Sequence, residues 1–139
     1  MAADSTKRHF RKSVMCAVFA LAAVAVTSAG AQQTQAANSV TYNYNLDAKY
    51  IMIKNAKISG GETCTALSPP QRDAQGNFTG PGVGRGQPLL VGFTFNMQAM
   101  RDPDCTIPLD GIYQNGYVVR STKNLFIRIS KSRILVSTG

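Results

Sequence analysis

The chemically versatile side chains of this 139-residue sequence are one imidazole, three thiols, seven carboxylates and fifteen lysines or arginines. The imidazole, His9, lies in a basic start that also holds Lys7, Arg8, Arg11 and Lys12. An apolar stretch from Val14 to Val26 follows, and then Ala29-Gly30-Ala31. A charged start, a short apolar middle and a small-residue end are the pattern of a secretory signal peptide. The apolar stretch is about 13 residues, short of the roughly 20 that a membrane-spanning helix needs. Cleavage after Ala31 removes residues 1–31, and with them His9, so Ser-His-Asp and Cys-His catalysis, imidazole proton shuttling and His-containing zinc sites are all excluded from the mature chain.

Of the three cysteines, Cys16 leaves with the leader, and Cys64 and Cys105 remain as an even pair in a chain bound for an oxidising compartment. A disulfide between them is expected. It would close a loop of about 42 residues and stabilise by roughly 4 kcal/mol on the chain-entropy account. No thiolate nucleophile is then left. Thr6-Lys7-Arg8-His9-Phe10-Arg11-Lys12 resembles the twin-arginine export signal, departing from it at Lys7 and Arg11. The general secretory route is the expected one.

Carboxylates could still run a glycosidase, given two acids about 5 to 9.5 Å apart. The mature acids are Asp47, Glu62, Asp73, Asp102, Asp104 and Asp110, and five of them lie in or beside turn-rich segments, where acids are usually solvated or cap nearby N–H groups. Ser130 and Lys131 are strand neighbours pointing to opposite faces, which argues against a Ser-Lys pair. Asp102-Pro103-Asp104 with Asp110 lacks the glycine and the final acid of a calcium loop of the helix-loop-helix type. Gly80-Pro81-Gly82-Val83-Gly84-Arg85-Gly86 lacks the Lys-Ser/Thr ending of a phosphate loop. No catalytic residue, metal or cofactor is assigned, and no enzyme is expected.

The charge points to binding. Without the four leader cations and Asp4, 11 Lys+Arg and 6 Asp+Glu remain, a net +5. Arg120, Lys123, Arg128, Lys131 and Arg133 fall in the last twenty residues with no acid among them. They are the candidate binding residues for an anionic envelope component, a polysaccharide, lipid headgroup or acidic protein, rather than a nucleic acid. The competing reading is that they guard an edge hairpin against pairing with another chain. Tyr42, Tyr44, Tyr50, Tyr113 and Tyr117 could line a sugar or protein site. Because Tyr42 and Tyr44 share a face with Val40 and Leu46, packing in the core or between the sheets is the expectation for them. The sequon Asn77-Phe78-Thr79 matters only in a eukaryotic secretory path.

The elements that must position these residues are strands. Residues 32–38 are small and polar and read as a flexible start; residues 39–139 read as a single β domain. Val40, Tyr42, Tyr44 and Leu46 alternate with polar residues, and Tyr50-Ile51-Met52-Ile53 reads as a central strand. Residues 68–88 hold four Pro and five Gly with no apolar period, the mark of a long surface loop. Leu89, Val91, Phe93, Phe95 and Met97 recur at every second position. Residues 106–113, 116–120 and 124–130 read as further strands. A turn at Lys131-Ser132 pairs Ile129 with Ile134, Ile127 with Val136, Ser130 with Arg133 and Arg128 with Leu135. No window outside the leader has a helical period. The expected fold is all-β, a small antiparallel sandwich of six to eight strands with one long loop and one disulfide.

The sequence therefore predicts a secreted or periplasmic non-enzymatic module for binding or assembly, a surface-fibre or envelope component that could form homo-oligomers by strand addition. The alternative is a secreted inhibitor that inserts the 68–88 loop into an enzyme cleft.

Overall fold

The computed structural model describes residues 35–139. The leader and the first residues of the expected flexible start lie outside that range. Within it the chain is all β. Twelve strands run in order: β1 (Ala36–Ala37), β2 (Ser39–Asn43), β3 (Tyr50–Asn55), β4 (Thr63–Ala66), β5 (Gln71–Arg72), β6 (Phe78–Gly80), β7 (Gly82–Arg85), β8 (Leu89–Leu90), β9 (Thr94–Met100), β10 (Pro108–Val118), β11 (Leu125–Ile129) and β12 (Ile134–Thr138). This exceeds the expected six to eight because six of the twelve have only two to four residues, too brief to show an apolar period.

Two four-stranded sheets carry the fold, in the orders β10-β9-β3-β4 and β12-β11-β2-β7. Two-stranded ribbons, β1-β8 and β5-β6, complete it. One hydrophobic cluster takes inward residues from both sheets, among them Ile51, Ile53, Met97 and Ala99 from the first and Leu125, Ile127, Ile129 and Ile134 from the second. β3 lies between β9 and β4, the central place its apolar run requires. Cys64 on β4 is bonded to Cys105, with Cα atoms 5.9 Å apart.

The terminal hairpin keeps the expected register, Ile129 to Ile134, Ile127 to Val136 and Arg128 to Leu135. Lys-Ser is an unfavourable turn, and Ser130 compensates. Its hydroxyl accepts the N–H of Ser132 and Arg133 at 3.2 and 3.1 Å and donates to the Arg133 carbonyl at 2.9 Å.

Five expectations are corrected. The sheets are not wholly antiparallel, since β11 pairs parallel to β2 from Leu125 beside Ser39 to Ile129 beside Asn43. The whole of the first sheet intervenes between these strands in sequence, long enough for a crossover. Residues 36–37 are not flexible: β1 pairs with Leu89–Leu90, and Ala37 is fully buried. The alternating run from Leu89 to Met97 faces the core as its period requires, but it is two strands. Gly92, at φ +92°, turns the chain between them and donates its N–H to Val119 at 2.8 Å. The segments 106–113 and 116–120 are not two strands: most of both falls in β10, which runs from Pro108 to Val118 through two register shifts.

The fifth correction concerns the long loop. Residues 68–88 include β5, β6 and β7, and β7 is an edge strand paired to β2, Val40 beside Arg85 and Tyr42 beside Val83. A strand here needs no apolar side chains, because the space inside it is filled by backbone. A Cβ on Gly82 would collide with the carbonyls of Ser68 and Pro69, and one on Gly86 with the Ser39 hydroxyl. Glycine at alternate positions is what lets the chain approach so closely.

Candidate functional site

The faces of β2 are the reverse of those expected. Ser39, Thr41, Asn43 and Asn45 are buried, whereas Val40, Tyr42 and Tyr44 are half-buried and Leu46 is exposed. The expectation that Tyr42 and Tyr44 pack in the core or between the sheets is thus corrected: they lie on the outer, half-buried side of β2. The inward residues meet backbone rather than oil. Ser39 Oγ donates to the Gln87 carbonyl at 2.7 Å and Thr41 Oγ1 to that of Gly84 at 3.2 Å. Asn43 Nδ2 donates to the carbonyls of Ala48 and Ser68 at 3.0 and 3.2 Å, while its Oδ1 accepts the Asn45 N–H at 2.9 Å. Asn45 Nδ2 reaches the Ser130 carbonyl at 3.0 Å, tying β2 to the terminal hairpin. Buried polar groups are tolerated when bonded, and no buried side-chain N or O among the described residues lacks a partner.

With its polar side inward, β2 turns its aromatic side out. Residues directly opposite across paired strands share a face, so the outer surface of the sheet can be read in rows. One row is Ser137, Phe126, Val40 and Arg85; the next is Leu135, Arg128, Tyr42 and Val83. A third holds Arg133, Ser130 and Tyr44, whose N–H donates to the Ile129 carbonyl at 2.8 Å. The rings of Tyr42 and Phe126 are 6.1 Å apart, and Phe78 lies 6.2 Å from Tyr44. Tyr42, Tyr44, Phe126 and Arg128 line one open depression. At strand and residue spacings of about 4.8 and 3.3 Å, the rows cover roughly 14 Å in each direction. No carboxylate stands in them.

The five cations expected to act together are divided. Arg128 is central to this face, and Arg133 is at one end of it with Lys131 in the adjoining turn. Arg120 and Lys123 precede β11 at the opposite end of the hairpin, roughly 20 Å away along the strand. All five are exposed. Arg85, brought to the face by β7, was invisible as a partner because its segment read as a loop. The signal that could have found it is Gly82, Gly84 and Gly86 at a period of two, set against the small polar residues of β2 at the same period.

Two of the acids, Asp73 and Asp102, bond to their own turns. Asp73 accepts the N–H groups of Gln75 and Asn77 at 3.0 and 2.8 Å, and the bond from the Asn77 backbone leads in holding its carboxyl below the usual carboxylate range. Asp102 accepts both N–H and hydroxyl of Thr106 and the N–H of Ile107, and the hydroxyl leads in lowering its pKa. The Ser130 hydroxyl is committed to its turn. Among the described residues no three of His, Cys, Asp and Glu are grouped to hold a metal ion. Tyr113 is exposed, and Tyr117 packs partly against the core. Comparison with protein-family models, curated proteins and solved structures finds no match to this chain.

Proposed function

We propose that this chain is an exported, non-enzymatic binding module, a small β-sandwich that engages an acidic polysaccharide of the cell envelope through the outer face of β12-β11-β2-β7. The observation that carries the reading is the outward display of Tyr42, Tyr44 and Phe126 around Arg128, with Arg85 and Arg133 at the margins and no acid among them. Tyrosine offers a flat apolar body with a polar tip, suited to the faces and hydroxyls of sugar rings. Arginine offers a planar fork for carboxylate, sulfate or phosphate. A shallow face about 14 Å across fits an extended polymer better than an enclosed small molecule. The Cys64–Cys105 bridge is consistent with an oxidising compartment outside the cytoplasm.

Immobilised polygalacturonate, with neutral dextran as its counterpart, tests the proposal. The protein should be retained on the acidic polymer and released by salt. The double variant Arg128→Glu/Arg133→Glu removes two cations and should bind at least about thirty-fold more weakly, from roughly 1 kcal/mol per cation near an anionic surface. Equal retention on dextran, or an unchanged affinity in the double variant, would overturn it. Retention on an acidic protein or on anionic vesicles but not on the polysaccharide would reassign the partner.

The inhibitor alternative now concerns a narrower segment. Residues 71–79 are exposed at every position, and Asp73 fixes the turn between β5 and β6. β7 belongs to a main sheet, so the informative deletion is 73–77, which leaves β7 in place.

A further inference from the structure

We infer that the free edge of β12 pairs antiparallel with β12 of a second copy of this chain, about a two-fold axis at Val136. The inference does not depend on the polysaccharide reading. An unpaired strand edge invites another strand, and proteins guard such edges with bulges, proline, charge or brevity. Three of the four edges of the main sheets are guarded. β10 begins at Pro108 and carries two register shifts with Gly111 and Gly116 at positive φ. β4 has four residues and is tethered at Cys64 to the turn holding Cys105. β7 has four residues, two of them glycine, between Pro81 and Pro88 and ending on Arg85.

β12 has none of these devices. Ile134-Leu135-Val136-Ser137-Thr138 contains no charge, proline or glycine and is rich in β-formers. The cations thought to guard this hairpin stand elsewhere, Arg128 one strand inward and Lys131 and Arg133 in or beside the turn. β10 approaches β12 from the other sheet but exchanges no ladder with it. Leu135, Ser137 and Thr138 are exposed.

The hydrogen-bond phase fixes the register. Ser130 N–H donates to the Arg133 carbonyl and Gly139 N–H to that of Asn124, at 2.9 and 3.1 Å. In an antiparallel ladder bonded and non-bonded pairs alternate, so Leu135 and Ser137 spend their backbone groups on β11. Ile134, Val136 and Thr138 aim theirs away from it. A two-fold axis at Val136 then sets Val136 against Val136 of the second copy and Ile134 against its Thr138, matching every free donor on the edge with a free acceptor. Leu135 faces Ser137 of the copy across a non-bonded pair, with Cα atoms about 4.5 Å apart. The two Arg133 residues end roughly 20 Å apart along the strands, so no like charges meet. A second copy thus meets the edge with every donor matched, no like charges opposed and β-forming residues on both sides, and the pairing joins two outer faces into one eight-stranded sheet.

The test is sedimentation equilibrium on protein recovered from cells expressing the full chain, together with oxidative cross-linking. The wild type should shift from monomer towards twice the monomer mass as concentration rises. Leu135→Lys places a charge on the exposed edge, and Thr138→Pro removes a donor that β11 does not use; each should abolish the shift while the circular dichroism spectrum stays wild-type. The double variant Leu135→Cys/Ser137→Cys should yield a covalent dimer on non-reducing gels, and Leu135→Cys alone should not. A wild type that stays monomeric across the range, a dimer that survives both edge variants in a folded state, or a cross-link through Leu135→Cys alone would each overturn the inference.

Discussion

Asn43 is the residue on which the orientation of β2 depends, and replacing it measures how strongly the polar interior holds. Asn43 is 0% exposed and makes three bonds, donating to the carbonyls of Ala48 and Ser68 and accepting the N–H of Asn45. Asn43→Ala orphans all three partners. Ser68 is half-buried, so water can replace the lost donor there. Ala48 and Asn45 are buried, and an unsatisfied buried group costs about 1–3 kcal/mol, which sets the loss at about 2–6 kcal/mol. In a domain of this size that lowers the thermal midpoint by roughly 10–30 °C. Asn43→Asp separates the donor from the acceptor. The introduced carboxyl keeps the oxygen that faces Asn45 but points a second oxygen at two carbonyls. Burial and those carbonyls favour its protonated form, so its folded pKa lies above its unfolded one. The folded state then binds the extra proton, and this variant gains stability as pH falls through the folded pKa, opposite to an ordinary paired aspartate. Urea unfolding at neutral and mildly acidic pH reads both effects. An Asn43→Ala variant within 1 kcal/mol of wild type, or an Asn43→Asp variant whose midpoint ignores pH, refutes the account of the inverted strand.

Further outcomes follow from the same geometry. Gly82→Ala forces a Cβ against the Ser68 and Pro69 carbonyls and should cost about 1–3 kcal/mol, whereas Gly80→Ala, with open space around it, should stay within about 0.5 kcal/mol; chemical denaturation compares the two. Opening the bridge with Cys64→Ser/Cys105→Ser should cost about 4 kcal/mol, with β4 the first strand to lose amide protection in hydrogen exchange. Asp73 and Asp102 have lowered folded pKa values, so the order they confer is complete above the ordinary carboxylate pKa of 3.8 and is lost as pH falls through their lower folded values. The amide shifts of Asn77 and Thr106 should therefore move only below that ordinary value, and movement already at pH 5 counts against these bonds.

What was legible in the sequence is what side-chain alternation and counting can carry. The terminal hairpin was readable because Ile127, Ile129, Ile134 and Val136 fix a face, and a two-residue turn then leaves one register. The disulfide was readable because two cysteines leave one pairing. Strand partners and directions were not, since a period of two is the same whether β2 meets β11 in parallel or another strand antiparallel. The outward face of β2 was misread for a more specific reason. Alternation assumes that the apolar side of a strand goes inward, because the interior is normally hydrocarbon. Where the interior neighbour is backbone, the small donors Ser39, Thr41 and Asn43 gain more by going inward than the tyrosines do.

That inversion links the stability of the fold to the proposed binding face. Were β2 to present Tyr42 and Tyr44 inward, their rings would need the volume that Gly82, Gly84 and Gly86 and the Ser68–Pro69 carbonyls now occupy, and β7 could not pair. The same glycines that read as a loop thus close the interior to large side chains, send the aromatic rows outward beside Arg128, and bring Arg85 to their margin. The proposed face is therefore a consequence of how the core is filled, so a variant that loosens the inner side of β2 should weaken polymer binding even though it leaves every outward residue in place. Asn43→Ala, assayed on polygalacturonate at a temperature where it remains folded, separates this coupling from a purely local site: weaker binding supports it, and unchanged affinity shows that the outer rows hold their geometry without the inner bonds.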